Sequence, residues 1–369
     1  MRLAWLCRFL LTAVVPVAAD AASVTLDSPR EYQVFQRSSV ASGAIAVRGS
    51  AGARCDSVLA RLDLQAWQPI PVAAPCAFDG PLAAPAGGWY RVEVRVLSGG
   101  AIVGEAVAEH TGVGEVFVVS GQSNSTNYGE QAQQTRSGMV STFDGAGWRL
   151  ANDPQPGVQD SSQLGSFLPA FGDALYAHCQ VPVGVASVGS GSTSVRQWLP
   201  AGDRFPSPPT NAKFVTAAGD GQWESSGKLF DGMLQRIRQL GPHGFRAVLW
   251  HQGESDAHQG PGHEIEPAEY RRMMERLIRE MRARAGWDFP WFVAQVSYHT
   301  PADTGAPEIR DAQAALWKEG LALQGPDSDT LTGEMRQNHG AGVHMSAAGL
   351  EAHGKLWEAK VAAWLDSIR

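Results

Sequence analysis

Val113-Gly114-Glu115-Val116-Phe117-Val118-Val119-Ser120-Gly121-Gln122-Ser123-Asn124-Ser125 decides how the rest of the 369-residue chain is read. Val116 to Val119 is an unbroken apolar run, the pattern of a parallel strand covered on both faces. It stops at Ser120-Gly121, where glycine permits a sharp turn. Gln122-Ser123-Asn124 follows, small and polar, at an expected helix start. Open α/β sheets build their active sites just past the carboxyl ends of buried strands. A helix N-terminus adds unpaired N–H groups and the positive end of a dipole, both suited to an oxyanion. Read alone, the stretch is a strand followed by a polar turn. A nucleophilic Ser123 requires a base and further donors elsewhere.

Downstream, apolar strand-like runs alternate with helical periodicity, the signature of an α/β layer fold. Strands are predicted at Pro182–Ser187, Phe245–Trp250 and Trp291–Val296. Helices are predicted at 165–179, 226–240, 267–285, 306–318 and 347–368, with Pro267 well placed in a first helical turn. Met273, Leu277 and Met281 share one helical face and read as core. Residues 200–221, rich in proline, glycine and polar groups, read as a long surface loop over a pocket.

Upstream, residues 23–109 read as an all-β unit of short alternating strands with glycine turns, clearest in Trp89–Leu97. A small immunoglobulin-like sandwich serving as scaffold is the expected arrangement. Cys55 and Cys76 bracket two of its strands and are candidates for a disulfide in an oxidising compartment, with two buried thiols as the alternative. Cys179 reads as a small core residue. The first residues carry Arg2 and Arg8, the apolar segment Phe9–Ala19 and Ala19-Asp20-Ala21, the pattern of a signal peptide cleaved near Ala21. The apolar run is short of the ~20 residues needed to span a bilayer. The expected organisation is thus a signal peptide at 1–21, a β-sandwich at 22–110 and an α/β domain at 111–369, in a secreted or periplasmic protein that leaves the membrane after cleavage. With 37 acidic against 30 basic residues the net charge is −7, and no basic patch points to nucleic acid.

Three of the predicted strands end in polar clusters: Gly121-Gln122-Ser123-Asn124, Gly189 to Trp198, and His251-Gln252-Gly253-Glu254-Ser255-Asp256. A parallel sheet brings all three to one edge. Near the C-terminus, His344 precedes the last helix and can reach that edge. The roles follow from chemistry. Ser123 attacks an ester carbonyl, and His344 takes its proton and returns it to the leaving alcohol. The N–H of Ser123, the N–H of Gly191 and the amide of Gln252 hold the oxyanion. Gly189 is a rival to Gly191. Gln122, Asn124, Arg196 and Trp198 are candidates for the sugar site, since arginine and aromatic faces suit polyols and carboxylates; core packing is the alternative for Trp198. His258, His263, Glu264 and Glu266 lie close in sequence, but their spacing fits no closed zinc pattern and no metal is expected.

In order, these blocks resemble those of the SGNH hydrolases, within them the sialate O-acetylesterase and acetylxylan esterase group. Gly121 to Asn124 resembles the nucleophile block, Gly191-Ser192-Thr193 to Trp198 the glycine block with Ser192 at its second glycine, and Trp250 to Asp256 the third block. His344 matches the general base. The resemblance implies a three-layer α/β/α, flavodoxin-like domain with a parallel sheet, no cofactor, and a serine esterase that removes O-acetyl groups from carbohydrates through an acetyl-serine. Its substrate would be an acetylated carbohydrate, sialic acid or a polysaccharide. A non-catalytic carbohydrate-binding protein and a sugar O-acetyltransferase using the same pair are the alternatives. One position departs from the group: the Asp expected three residues before the histidine is Ala341. Glu254, Asp256, Asp329, Glu334 or a backbone carbonyl are the candidates to orient His344, which is expected to titrate near pH ~6.5.

Overall fold

A computed structural model describes residues 23–52, 54–303 and 305–368. The expected signal peptide lies outside them. The architecture is mixed α/β, with a large mixed sheet and six α-helices among the described residues. Everything is assembled on one strand, Ala101–Gly121, of 21 residues. Its first half alternates between exposed and buried side chains; from Thr111 onward every residue is buried. The strand therefore begins as a half-covered sheet member and ends covered on both faces. The upstream half pairs antiparallel with Gly87–Ser98, and the middle pairs parallel with Gln33–Gln36. The downstream half lies between Val183–Ser187 and Ala247–His251, parallel to both.

The parallel part of the sheet runs in the order Val140–Phe143, Val183–Ser187, Ala101–Gly121, Ala247–His251, Trp291–Gln295, Leu323–Asp327, with Trp148–Leu150 antiparallel at one edge. Successive side chains of a strand point to opposite faces, so Val116-Phe117-Val118-Val119 feeds two cores. Val116 and Val118 meet Met233, Leu277 and Leu316 of the helices Lys228–Leu240, Pro267–Ala285 and Pro307–Lys318. Phe117 and Val119 meet Phe171 and Trp357 of Leu168–Cys179 and Ala347–Ser367. Each such fully buried side chain contributes roughly 1.5–3 kcal/mol. None of the described helices is long and apolar enough to cross a membrane.

The strands Val24–Ser28, Ser42–Ala51, Ala77–Pro85 and Val72–Ala73 form a second sheet. Its Ile45, Val47, Phe78 and Leu82 share a core with Val58, Val92 and Val94. Ala77–Pro85 alternates strictly, yet Pro81 and Pro85 hide it from a propensity reading. Val72–Ala73 covers only its start, so the prolines fall where the outer edge is open. Cys55 and Cys76 are joined by a disulfide. Cys179 ends the helix Leu168–Cys179 and packs on the second core, half buried. Residues 200–221 are not the structureless loop their composition suggests. They contribute Arg204–Phe205 and Val215–Gly219 to a small antiparallel sheet with Gln222–Ser225, and buried Phe205 and Val215 anchor it to the first core.

A buried charge cluster joins the β unit to the layered unit. Glu115, fully enclosed in the long strand, accepts from Arg37 Nε at 2.7 Å and Arg246 Nε at 2.7 Å, and from Gln36 at 2.9 Å. Removing one partner of a buried ion pair leaves the other charged and unpaired, which typically costs about 3–5 kcal/mol. Glu115→Ala is therefore expected to lower the unfolding free energy by about that amount in urea titrations. A change under ~1 kcal/mol would mean that the cluster is incidental to the junction.

Candidate active site

Gly121 closes the central strand with a φ of 129°, and a Cβ there would stand 2.0 Å from the carbonyl oxygen of His251. Only glycine fits. The chain then turns into a single 3-10 turn, Ser123–Ser125, and not a longer helix. Among the described residues, neither the N–H nor the Oγ of Ser123 has a hydrogen-bond partner, whereas Gln122 N–H donates to the His251 carbonyl at 2.9 Å. Ser123 is thus nearly buried, with a hydroxyl and an amide both uncommitted.

His344 is delivered by a hairpin-like return of the chain. Arg336 and Met345 form an antiparallel bridge, and Gln337 N–H donates to the His344 carbonyl at 2.9 Å. Ser346 caps the last helix by accepting from Gly349 N–H, which fixes the segment just beyond the histidine. Asn124 and Val343, chain neighbours of Ser123 and His344, are joined by a hydrogen bond of 3.3 Å from Asn124 Nδ2. The His344 ring lies 5.0 Å from the Tyr128 ring, centre to centre. Its Nδ1 accepts from Gln337 Nε2 at 3.1 Å. Burial, then the positive Arg336, push the His344 pKa down to about 4, below the ~6.5 expected of an unperturbed imidazole.

None of the acids considered from sequence is the partner of His344. Asp256 accepts from Ser194 Oγ, Val195 N–H and Gln252 Nε2. Asp329 accepts from the N–H groups of Ser297 and Tyr298 and from Arg310. Glu254 accepts from Asn124 Nδ2 at 2.9 Å, and burial raises its pKa to about 7. Glu334 is exposed. The residue at His344 is Gln337, which a motif scan misses because it is a neutral amide. Ala341, at the position where the resemblance implies an Asp, is exposed.

The expected oxyanion donors divide. Gln252 is wholly buried, and its Nε2 donates to Asp256 at 2.6 Å and to the Thr193 carbonyl at 3.0 Å. Two acceptors fix which end of the amide is nitrogen, so both hydrogens are spent and Gln252 braces the blocks from behind. Gly191 N–H donates to the Asp160 carboxylate at 2.6 Å. A Cβ at Gly191 would sit 2.7 Å from the Tyr128 ring, which explains the glycine. Ser192 takes a φ of 55°, a left-handed value that glycine would adopt more easily.

Arg196 and Trp198 are corrected from sugar-binding to structural roles. Arg196 is buried and donates to the carbonyls of Ser207 and His263, each at 2.7 Å, pinning two rim loops. Trp198 is fully enclosed against Trp250 and donates to Thr193 Oγ1. Gln122 and Asn124 also face inward. Gln122 accepts from Ser255 N–H at 3.0 Å, and Asn124 bonds Glu254. Tyr128 lies against Gly191 and the His344 ring, and Asp160 holds Gly191 N–H; neither residue is singled out by sequence.

The family model described as carbohydrate esterase, sialic acid-specific acetylesterase matches residues 113–362. The chain belongs to this carbohydrate esterase family. It is accordingly a carboxylic ester hydrolase acting on carbohydrates by O-deacetylation. The match begins within the long strand and runs to the last helix, so it covers all three polar blocks and His344. Among solved structures, a carbohydrate acetylesterase from Xanthomonas citri is similar over 92% of this chain and 74% of its own, at 18% identity and a TM-score of 0.58. That likeness extends the shared fold beyond the family match to nearly the whole carbohydrate esterase chain. An Arabidopsis thaliana protein is similar over 68% of this chain and 98% of its own, at 20% identity and a TM-score of 0.46. A carbohydrate esterase family 2 enzyme with a carbohydrate binding domain, from Corynascus thermopiles (Myceliophthora fergusii), covers 93% of this chain and 100% of its own, at 15% identity and a TM-score of 0.39. No curated protein matched the sequence.

Proposed function

We propose that this carbohydrate esterase works through a Ser123–His344 dyad and an acetyl-serine intermediate, with the His344 ring held by Gln337. Ser123 Oγ attacks the acetyl carbonyl while His344 Nε2 takes its proton. The C–O bond to the sugar then breaks, and His344 returns the proton to the departing hydroxyl. Water repeats the sequence to release acetate. The base must carry its lone pair on Nε2, so its proton sits on Nδ1, and Gln337 must present Oε1 to it. The structure has Gln337 Nε2 at His344 Nδ1; turning the amide end for end puts Oε1 there, and Gln337 makes no other side-chain hydrogen bond among the described residues that would oppose it. The oxyanion is received by Ser123 N–H, which is uncommitted, and by Gly191 N–H once the acetyl oxygen displaces the Asp160 carboxylate.

The single observation that supports this reading is a serine with uncommitted Oγ and N–H beside a histidine segment, Asn124 Nδ2 bonding the Val343 carbonyl, with His344 Nδ1 partnered and its Nε2 without a partner among the described residues. A neutral partner also fits the low His344 pKa, since no carboxylate stabilises the imidazolium. The β unit fits an immunoglobulin-like scaffold, and the N-terminal segment an export signal that delivers the enzyme to extracytoplasmic acetylated sialic acids or polysaccharides. Acetate release from a panel of such glycans tests the reading. Turnover is expected on at least one, and equal inertness of wild type and Ser123→Ala on all of them would overturn it.

A further inference from the structure

We propose that His258, His299 and Asp303 bind one divalent cation of the zinc class, clamping the turn Glu254–Ala257 to the loop that follows the strand Trp291–Gln295. The ligand atoms of the three residues all lie within 4.8 Å of one another. The two imidazoles stack, with centres 4.8 Å apart and planes inclined by 26°. Both present Nδ1 to the same carboxylate oxygen, Asp303 Oδ2, at 2.7 Å from His258 and 3.9 Å from His299. A tetrahedral zinc with bonds near 2.0–2.1 Å spaces its ligand atoms about 3.3 Å apart. The two distances bracket that value, so small side-chain rotations complete the site.

The protonation pattern asks for a positive charge at this point. His258 Nε2 lies 2.6 Å from the Ser297 carbonyl oxygen and must donate to it. A neutral His258 therefore has its lone pair on Nδ1, facing a carboxylate oxygen at 2.7 Å. Two lone pairs at that distance repel, and only a second proton or a cation between them relieves it. A cation at this point also meets His299 Nδ1, which faces the same carboxylate oxygen. One divalent ion satisfies all three groups.

The surroundings are built for a ligand set. A histidine ligand usually donates its other nitrogen to a carbonyl or carboxylate, as His258 does to Ser297. Ser297 and Tyr298 are themselves fixed by Asp329, which accepts both their N–H groups and is held by Arg310. His258 is mostly enclosed, while His299 and Asp303 are half exposed, leaving an entry path and a position for water. The histidine and acids adjacent to His258 in sequence take no part. His263 Nδ1 contacts the Pro208 carbonyl, and Glu264 accepts from Gly262 N–H. The site shares no residue with Ser123, His344 or Gln337, so it stands whether or not that dyad is correct.

Zinc titration of chelator-treated protein by calorimetry, with thermal unfolding followed in parallel, tests the proposal. Wild type is expected to bind one equivalent and to unfold at a higher temperature with zinc. The exposed-ligand variants His299→Ala and Asp303→Asn are expected to fold normally by circular dichroism and to bind at least about 100-fold more weakly. Unaltered binding in either variant would overturn the site. So would a wild type that takes up no zinc.

Discussion

Ser123→Ala is expected to lower kcat for acetate release by about 10³-fold or more while leaving the fold intact. The side chain makes no hydrogen bond among the described residues, so its loss removes nothing that packs. On the proposed mechanism the removed atom is the nucleophile. His344→Ala is expected to cost a similar factor, because the serine then has no base. The double variant should cost no more than the worse single one, since two residues acting as a unit are not additive. Steady-state kinetics on one acetylated sugar, with circular dichroism on each variant, checks this. Losses that multiply would mean that the two residues act in separate steps.

Gln337 gives the second large effect. An amide at Nδ1 permits the productive tautomer but does not enforce it, and it offers no charge to the imidazolium that forms. Gln337→Glu supplies both, and is expected to raise kcat by about 10- to 10³-fold. Gln337→Ala should lower it by about tenfold or more, as an unoriented ring loses its geometry. The pH profile separates this role from simple packing. His344 is active when neutral, and its pKa is held near 4. In wild type kcat/KM should therefore stay level down to mildly acid pH and fall only as pH drops through about 4. A carboxylate at 337 stabilises the charged ring, so the Gln337→Glu profile should begin to fall at higher pH. Identical profiles for both proteins would remove Gln337 from the mechanism.

The sheet was legible because burial on both faces leaves a run such as Val116–Val119 that no other element explains. Helix periodicity, and proline at the start of Pro267–Ala285, placed four of the five long helices within two residues of their observed ends; the first, Leu168–Cys179, starts three residues late. The convergence of the polar blocks followed from parallel strand order. What escaped was decided by tertiary context. Ala77–Pro85 is a strand despite its prolines, because its outer edge is open there. Arg196 and Trp198 have surface-site chemistry, yet the rim segment 204–225 folds over them and buries both. Gln252 has the right type for an oxyanion donor, but Asp256 and the Thr193 carbonyl take its hydrogens, and Gly191 N–H is held by Asp160, which is remote in sequence. Gln337 lies seven positions from His344 and reaches it only because the chain doubles back there. No spacing rule written for an acid three residues away finds it.

Rapid quench of the enzyme turning over an acetylated sugar, followed by peptide mass analysis, tests the dyad most directly. The expected result is one acetyl group on the peptide carrying Ser123, accumulating in Gln337→Ala if deacetylation is slowed and absent from Ser123→Ala. Turnover with no acetylated enzyme at any quench time, or acetyl on another residue that persists in Ser123→Ala, would contradict it.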